Sequence, residues 1–321
     1  MKKTALLALF VLLYLPTFCW GFFAHRKINY YAVFLLPPDM MVLYKPAVNF
    51  LSEHAVDPDK RRYSLPEEGA RHFIDLDHYG KAPYPALPRR WDSALVKFPA
   101  DTLRTYGIVP WHTLAVLQQL TNAFKEKNAS KILLLSAAIG HYIADAHVPL
   151  HASSNHNGQF TGQQGIHAFW ESRLPELLAD KEWDFFIGRA EYIRNPGAFL
   201  WSRVVESAAA ADTVLRLEKQ LSRQYGADRR FGFEERNGIL VRQYTADYSM
   251  AYNRLLKGMV ERRMRQSIFA TASFWYTAWV NAGQPSLENL SPRPFGADQL
   301  EALQQLDAQW KAAGKGKADC Y

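Results

Sequence analysis

Length, composition and charge already limit what this protein can be. Its 321 residues are 48% hydrophobic, 14% aromatic and 21% charged, which allows a large buried core and excludes a disordered or low-complexity chain. The net charge of +7 at pH 7 suits an anionic partner but is too small for a protein that coats nucleic acid. Two cysteines, Cys19 and Cys320, exclude a disulfide-rich scaffold, so stability must come from packing or from metal.

The first 19 residues have the pattern of a secretory signal peptide. Lys2 and Lys3 precede an apolar run over 5–15, and cleavage after Cys19 would leave Trp20 as the first residue of the mature chain. The run is shorter than the roughly 20 residues that a membrane span needs, and no later uncharged stretch reaches that length. We therefore expect a secreted or periplasmic protein with no integral membrane span after the signal is removed.

The remaining sequence is rich in helix-forming residues, is interrupted by Pro and Gly, and shows little alternation of apolar and polar positions. These patterns predict an all-α fold, a multi-helix bundle. The helix that ends near Asp145 is apolar nearly all round and should be central, with Asn128 or Ser130 as its N-cap. The other predicted helices lie at 24–35, 40–54, 111–126, 166–180, 198–224, 237–280 and 297–313, and that at 237–280 is long enough to be broken.

Two segments between these helices differ in composition. Residues 55–110 contain seven prolines and should form a long connection with short helical pieces, which is more typical of a functional segment than of a linker. Residues 152–165 form a polar loop. No internal repeat is visible, so we predict a helical domain over 20–285 and, over 286–321, a linker with a short amphipathic helix.

Imidazoles and carboxylates recur at helical spacing near the middle of the chain. His141 and Asp145 are four residues apart, as are His167 and Glu171, so each pair can grip one ion from one helix face. Pro149 should break the first helix and turn His151 toward a neighbouring ion. A purely structural His–carboxylate pair would explain one such motif, but burying this many polar groups without an ion is costly. These ligand types favour zinc and leave Mn, Fe or Ni open.

With these motifs the chain resembles the superfamily of bacterial zinc-dependent phospholipases C and secreted fungal and plant single-strand-specific nucleases. The superfamily pattern begins with a Trp at the mature N-terminus and continues with His and Asp residues in a fixed order. This chain supplies the whole series in that order, with Trp20, His25, Asp57, His72, His141, Asp145, His151, His167 and Glu171.

The resemblance implies a cleft that holds three zinc ions and activates water against phosphorus. Asp57, His72, His141 and Asp145 would bind the first ion, and His151, His167 and Glu171 the second. The amine and carbonyl of Trp20, together with His25 and a bridging oxygen of Asp145, would bind the third. The resemblance also implies catalytic roles for Asp145 and for Asp57, the latter as general base. Two alternatives stay open from the residues, since Asp59 competes with Asp57 and His78 competes with His72.

The implied function is a secreted zinc-dependent phosphodiester hydrolase. The substrate would be a phospholipid headgroup or a single-stranded nucleic acid. The spacing from Trp20 to His25 follows the nucleases, whereas Leu-His-Ala at 150–152 and the final Glu171 follow the phospholipases, and the disulfides usual in the nucleases are missing. We favour the phospholipase C type slightly. A zinc-stabilised secreted binding module is the alternative from another class, and it requires that no ligand position stays open to water.

Overall fold

The computed structural model describes residues 21–236, 239–288, 290 and 295–313. The regular structure is almost entirely helical, which confirms the predicted all-α bundle. The exception is a single antiparallel hairpin of β1 (Phe231–Arg236) and β2 (Ile239–Tyr244). The helices are α1 (Phe22–Val33), α2 (Pro38–Tyr44), α3 (Val48–Glu53), α4 (Asp57–Arg61), α5 (Trp91–Lys97), α6 (Ala100–Thr105), α7 (Val109–Lys125), α8 (Ala129–Ala146), α9 (Ile166–Ala168), α10 (Leu174–Glu182), α11 (Pro196–Ser222), α12 (Ala227–Arg230), α13 (Ala246–Leu256), α14 (Met259–Asn281) and α15 (Ala297–Ala313).

Helix α8 lies at the centre of the bundle, as its apolar sequence predicts. Asn128 caps its N-terminus and accepts a hydrogen bond from the backbone N–H of Lys131. Helices α1, α7, α11 and α14 pack around it. Trp275 of α14 donates from Nε1 to the carbonyl oxygen of Ser136 at 3.0 Å, so the polar atom of this buried indole is hydrogen-bonded to α8.

A close contact between α1 and α8 brings two histidines together. The side chain of Asn29, on α1, donates to the carbonyl oxygens of Leu51 and Ala137 at 3.0 and 3.1 Å. A Cβ at Gly140 would lie 1.9 Å from Asn29 Oδ1, so only glycine allows this approach. One turn before Asn29, His25 stacks on His141 with ring centroids 3.8 Å apart.

The proline-rich connection contains short helices, as predicted, and the C-terminal helix α15 packs against one of them. Lys60 of α4 donates to Asp307 of α15 at 2.6 Å. Trp310 of α15 contacts Phe22, the first residue of α1, with ring centroids 5.2 Å apart. Helix α15 therefore lies against the segment that carries both Asp57 and Asp59. The predicted domain boundary near residue 285 stays a prediction.

Two helix predictions are wrong in part. The segment predicted as one helix over 40–54 forms α2 and α3, because Pro46 interrupts the backbone hydrogen bonds. The helix predicted from 237 begins only at α13, since 239–244 form β2 and pair with β1. Tyr244 of β2 stacks on Phe169 at 3.8 Å, a tertiary contact that no local pattern reveals. A sharp turn at Lys257 and Gly258, both with positive φ, separates α13 from α14.

None of the described helices combines the length with the apolar character that a transmembrane segment requires.

Candidate metal centre

The residues predicted to bind the second ion are called here the second ligand group, and they come from one short stretch of chain. They are His151, His167 and Glu171. Helix α8 ends at Ala146, and a 3₁₀ turn that begins at Pro149 carries His151. His167 lies in α9, and Glu171 lies in the π-helical turn Phe169–Arg173 that continues α9. His151 Nε2 and His167 Nε2 are 3.1 Å apart, and they lie 3.4 and 3.1 Å from Glu171 Oε2.

The first ligand group consists of Asp59 and His72, from two parts of the proline-rich connection, and His141, from the distant helix α8. His141 Nε2 lies 3.0 Å from His72 Nδ1. Asp59 Oδ1 lies 3.6 Å from His141 Nε2 and 3.7 Å from His72 Nδ1. All three side chains are buried. Asp59 Oδ2 is also buried and has no hydrogen-bond partner among the described residues, which is costly for a carboxylate oxygen unless a cation lies nearby.

Asp145 connects these groups. Its Oδ2 lies 3.0 Å from His72 Nδ1 and 3.3 Å from His141 Nε2. Its Oδ1 faces the other way, 3.5 Å from His25 Nε2 and 4.0 Å from His151 Nε2. His25, His141 and Asp145 thereby form a third ligand group, and the two oxygens of one buried carboxylate face different groups.

Backbone carbonyls orient the imidazoles. The Nδ1 of His141 donates to the carbonyl oxygen of Ala55 at 2.8 Å. The Nδ1 of His151 donates to that of His72 at 2.6 Å, and the Nδ1 of His167 to that of His156 at 3.1 Å. With the proton held on Nδ1, each Nε2 presents a lone pair to the interior of the site. Two such lone pairs 3.1 Å apart, on His151 and His167, repel each other unless a proton or a metal ion lies between them. This donor set therefore fits a metal ion.

Seven of the nine predicted site residues meet here, namely His25, His72, His141, Asp145, His151, His167 and Glu171. Trp20 and the predicted signal peptide lie outside the described residues. His72 rather than His78 joins the first ligand group, and His78 stacks on Tyr106.

Asp57 differs from the sequence prediction in its surroundings. Its carboxylate accepts from His54 Nδ1 at 2.6 Å and from Lys60 Nζ at 3.2 Å, whereas Asp59 joins the first ligand group. Both acids belong to α4, where two residues correspond to a rotation of about 200°, so only one of them can face His72.

A comparison with family models gives one match, described as zinc dependent phospholipase C, over residues 24–225. The match covers well over half of the chain and includes all three ligand groups. The chain belongs to the zinc-dependent phospholipase C family. It is accordingly a zinc-dependent phosphoric ester hydrolase. No curated protein matches its sequence.

The electrostatics of this zinc-dependent phospholipase C domain favour cations. Burial by itself raises the pKa of Asp145, but the neighbouring His141 and His151 hold that pKa well below its usual value. Burial likewise lowers the pKa of His151, but the carboxylates of Asp145 and Glu171 outweigh it and raise the pKa to about 9. The carboxylates of Asp145 and Glu171 are therefore ionised, and their negative charge favours a cation among the surrounding imidazoles.

Two charged residues lie beside the ligands, and sequence reasoning missed the first of them. Glu68 is fully buried, with its Oε1 3.6 Å from His72 Nε2. Arg62 Nη1 lies 3.8 Å from Asp59 Oδ1. The signal in the sequence was helical spacing, since Glu68 precedes His72 by four residues and Arg62 follows Asp59 by three, but these pairs lie in a connection that was not predicted as one helix.

Proposed function

We propose that the three ligand groups hold three zinc ions. Asp59, His72 and His141 would bind one ion, with Asp145 Oδ2 as the fourth donor. His151, His167 and Glu171 would bind a second. The observation that carries this proposal is the position of Asp145, whose two oxygens face different sets of imidazoles. A carboxylate in that position suits a bridge between cations better than it suits a single ion pair.

The third ion would take His25, the bridging Asp145 Oδ1 and the α-amine of Trp20. An α-amine titrates near pH ~8 and can donate a lone pair once a signal peptide has been removed. Gly21 supports this assignment, because a Cβ there would lie 3.0 Å from the side chain of Ser172, the neighbour of Glu171. The chain thus enters α1 beside the centre. The proposal includes secretion or export to a periplasm, since removal of residues 1–19 would complete the site.

The chemistry follows from charge. Three divalent ions against the carboxylates of Asp59, Asp145 and Glu171 leave a positive site that attracts a phosphodiester. Bound zinc supplies Lewis-acid chemistry, which polarises a phosphoryl oxygen and makes water easier to ionise near neutral pH. Arg62 adds a cation at the edge of the first ligand group, 3.8 Å from Asp59. The carbonyls of Ala55, His72 and His156 keep the imidazoles oriented throughout.

We further propose a phospholipid as the substrate, cleaved by water into diacylglycerol and a phosphorylated headgroup. The family match supports this choice. So does Phe160, which is 72% exposed in the loop between His151 and His167. His156 of the same loop accepts the hydrogen bond from His167, so the apolar ring lies on a segment tied to the site and can meet a lipid interface.

A single-stranded nucleic acid is the second candidate substrate. An exposed aromatic ring such as Phe160 can also stack on an unpaired base, and the net charge of +7 suits a polyanion.

Zinc analysis combined with parallel assays tests the proposal. The purified mature chain should contain three zinc ions and should release phosphorylated headgroup from phosphatidylcholine vesicles faster than it cuts single-stranded DNA or RNA. Faster cleavage of nucleic acid would replace the lipid proposal with the nuclease. No hydrolysis of any of the three substrates by a zinc-loaded chain would contradict the function.

A form that keeps one residue before Trp20 tests the third ion. It should lose one zinc and most of its activity, because an amide replaces the ligating amine. Unchanged zinc content in that form would exclude the amine as a ligand.

A further inference from the structure

Glu68 is a carboxylate with no solvent exposure that belongs to none of the three ligand groups. Its Oε2 accepts from Arg71 Nη1 at 2.6 Å and from Arg61 Nε at 3.4 Å. Its Oε1 accepts from the hydroxyl of Tyr142. A buried carboxylate is costly unless it is charge-paired and hydrogen-bonded, and Glu68 satisfies both conditions.

The same Glu68 Oε1 lies behind a metal-ligating histidine. His72 turns Nδ1 toward Asp145, at 3.0 Å. Its buried Nε2 has no hydrogen-bond partner among the described residues and lies 3.6 Å from Glu68 Oε1, within ion-pair distance. An imidazole that gives one nitrogen to a metal keeps a proton on the other, and a carboxylate there fixes the ring and makes it a better donor. The outer nitrogens of His141 and His151 face backbone carbonyls instead, so His72 differs in having an ionised partner.

The partners of Glu68 come from the segments that supply the first ligand group. Tyr142 follows His141 on α8, and Arg61 lies two residues after Asp59 on α4. Arg61 Nη2 also donates to the Tyr142 hydroxyl at 3.2 Å, which closes the network. Glu68 itself lies four residues before His72. One carboxylate therefore ties α4 and the segment that carries His72 to α8, which is far away in the sequence.

We propose that Glu68 is a positioning residue for the zinc ion of the first ligand group. It holds His72 with Nδ1 toward the ion and holds α4 against α8, so that Asp59, His72 and His141 keep the spacing that one ion requires. This inference rests on the zinc binding proposed above and adds a residue that does not touch the ion.

Glu68→Gln tests the role by zinc affinity rather than by turnover. Glutamine has the same shape, but its amide N–H₂ must face either Arg71 or the Tyr142 hydroxyl, which are donors. In competition with a chromophoric chelator, we expect one zinc ion of the full mature chain to be held about 10–100-fold more weakly, the usual cost of losing an outer partner. The ion of the second ligand group should leave at the wild-type chelator concentration.

Glu67→Gln is the matched control, because it makes the same chemical change one residue earlier. The Glu67 side chain is 55% exposed, and its carboxylate lies 3.8 Å from Arg71. We expect wild-type zinc affinity in this variant. Equal zinc affinity in Glu68→Gln and Glu67→Gln would overturn the proposal.

Tyr142→Phe provides an independent variant if Glu68→Gln does not fold. It keeps the carboxylate and removes only the hydroxyl that ties Glu68 to α8. Weaker binding of one zinc ion supports the proposal, and unchanged binding of all of them overturns it. A wild-type chain that binds no zinc would contradict the proposed function instead, so the two failures are distinguishable.

Discussion

The first and second ligand groups use the same kinds of side chain but are assembled in different ways. The second group comes from 21 consecutive positions, with one histidine in a 3₁₀ turn and a His–Glu pair in the helical segment that follows the loop. The first group needs Asp59, His72 and His141, which meet only when α4, the proline-rich connection and α8 pack together. The second group therefore depends mostly on local structure, and the first depends on tertiary packing.

The largest effect should come from Asp145→Asn, because Asp145 faces both groups. The neutral amide of asparagine lacks the negative charge that two zinc ions would share. We therefore expect the zinc content to fall by more than one ion per chain. Activity should fall about 10³-fold or more, as several kcal/mol of metal assistance are removed. The measurements are zinc per chain and the rate of phosphodiester hydrolysis. If the variant keeps full zinc content and full activity, the shared carboxylate has no bridging role.

Asp59→Asn and Asp57→Asn should separate the two acids of α4. Asp59→Asn removes a proposed ligand, and we expect one zinc ion to be held at least about 100-fold more weakly, with the second ligand group unaffected. Asp57→Asn removes the partner of His54 and Lys60, and we expect a loss of about 1–3 kcal/mol of stability with zinc retained. Zinc titration and thermal unfolding of both variants give the answer. The reverse pattern would restore Asp57 as the ligand.

Gly140→Ala should affect the packing-dependent groups without changing any ligand. The added methyl would lie 1.9 Å from Asn29 Oδ1, which forces α1 away from α8. Overpacking of this kind costs about 1–3 kcal/mol, so thermal unfolding should occur at a lower temperature. We expect weaker zinc binding at the groups that contain His25 and His141, and wild-type binding at the second group. A uniform loss at every group would show that the second group also depends on this contact.

The smallest effect should come from Asp307→Asn, at the contact between α15 and α4. The Lys60–Asp307 pair is partly exposed, so its loss should cost no more than about 1 kcal/mol. The hydrogen bond from Lys60 lowers the pKa of Asp307, so the stabilisation is present at neutral pH and is lost as the carboxyl becomes protonated in acid. The difference in Tm between wild type and variant should therefore shrink as the pH falls. A difference that grows in acid would contradict the assigned charge pair.

The errors of the sequence prediction lie where long-range contacts decide the structure. The helix predicted from 237 overlooked β2 because its six residues, Ile-Leu-Val-Arg-Gln-Tyr, do not alternate between apolar and polar positions. Its Tyr244 is held by stacking on Phe169. The choice of Asp57 over Asp59 as the ligand stays a prediction, since it relied on chain spacing, whereas the rotation of α4 determines which acid faces His72. Glu68 was overlooked although Arg71 and His72 follow it at helical spacing, because its contact with Tyr142 joins residues that are far apart in the sequence.

Local sequence was sufficient for the helical bundle, the central position of α8, and the pairing of His141 with Asp145 and of His167 with Glu171. Helix periodicity and the stop at Pro149 act over a few residues, so a reader of the sequence can apply them directly. The convergence of His25, Asp59 and His72 on those pairs was decided by packing. It depends on the approach of α1 to α8 at Gly140 and on a buried carboxylate network, and both arise from contacts between residues that are far apart along the chain.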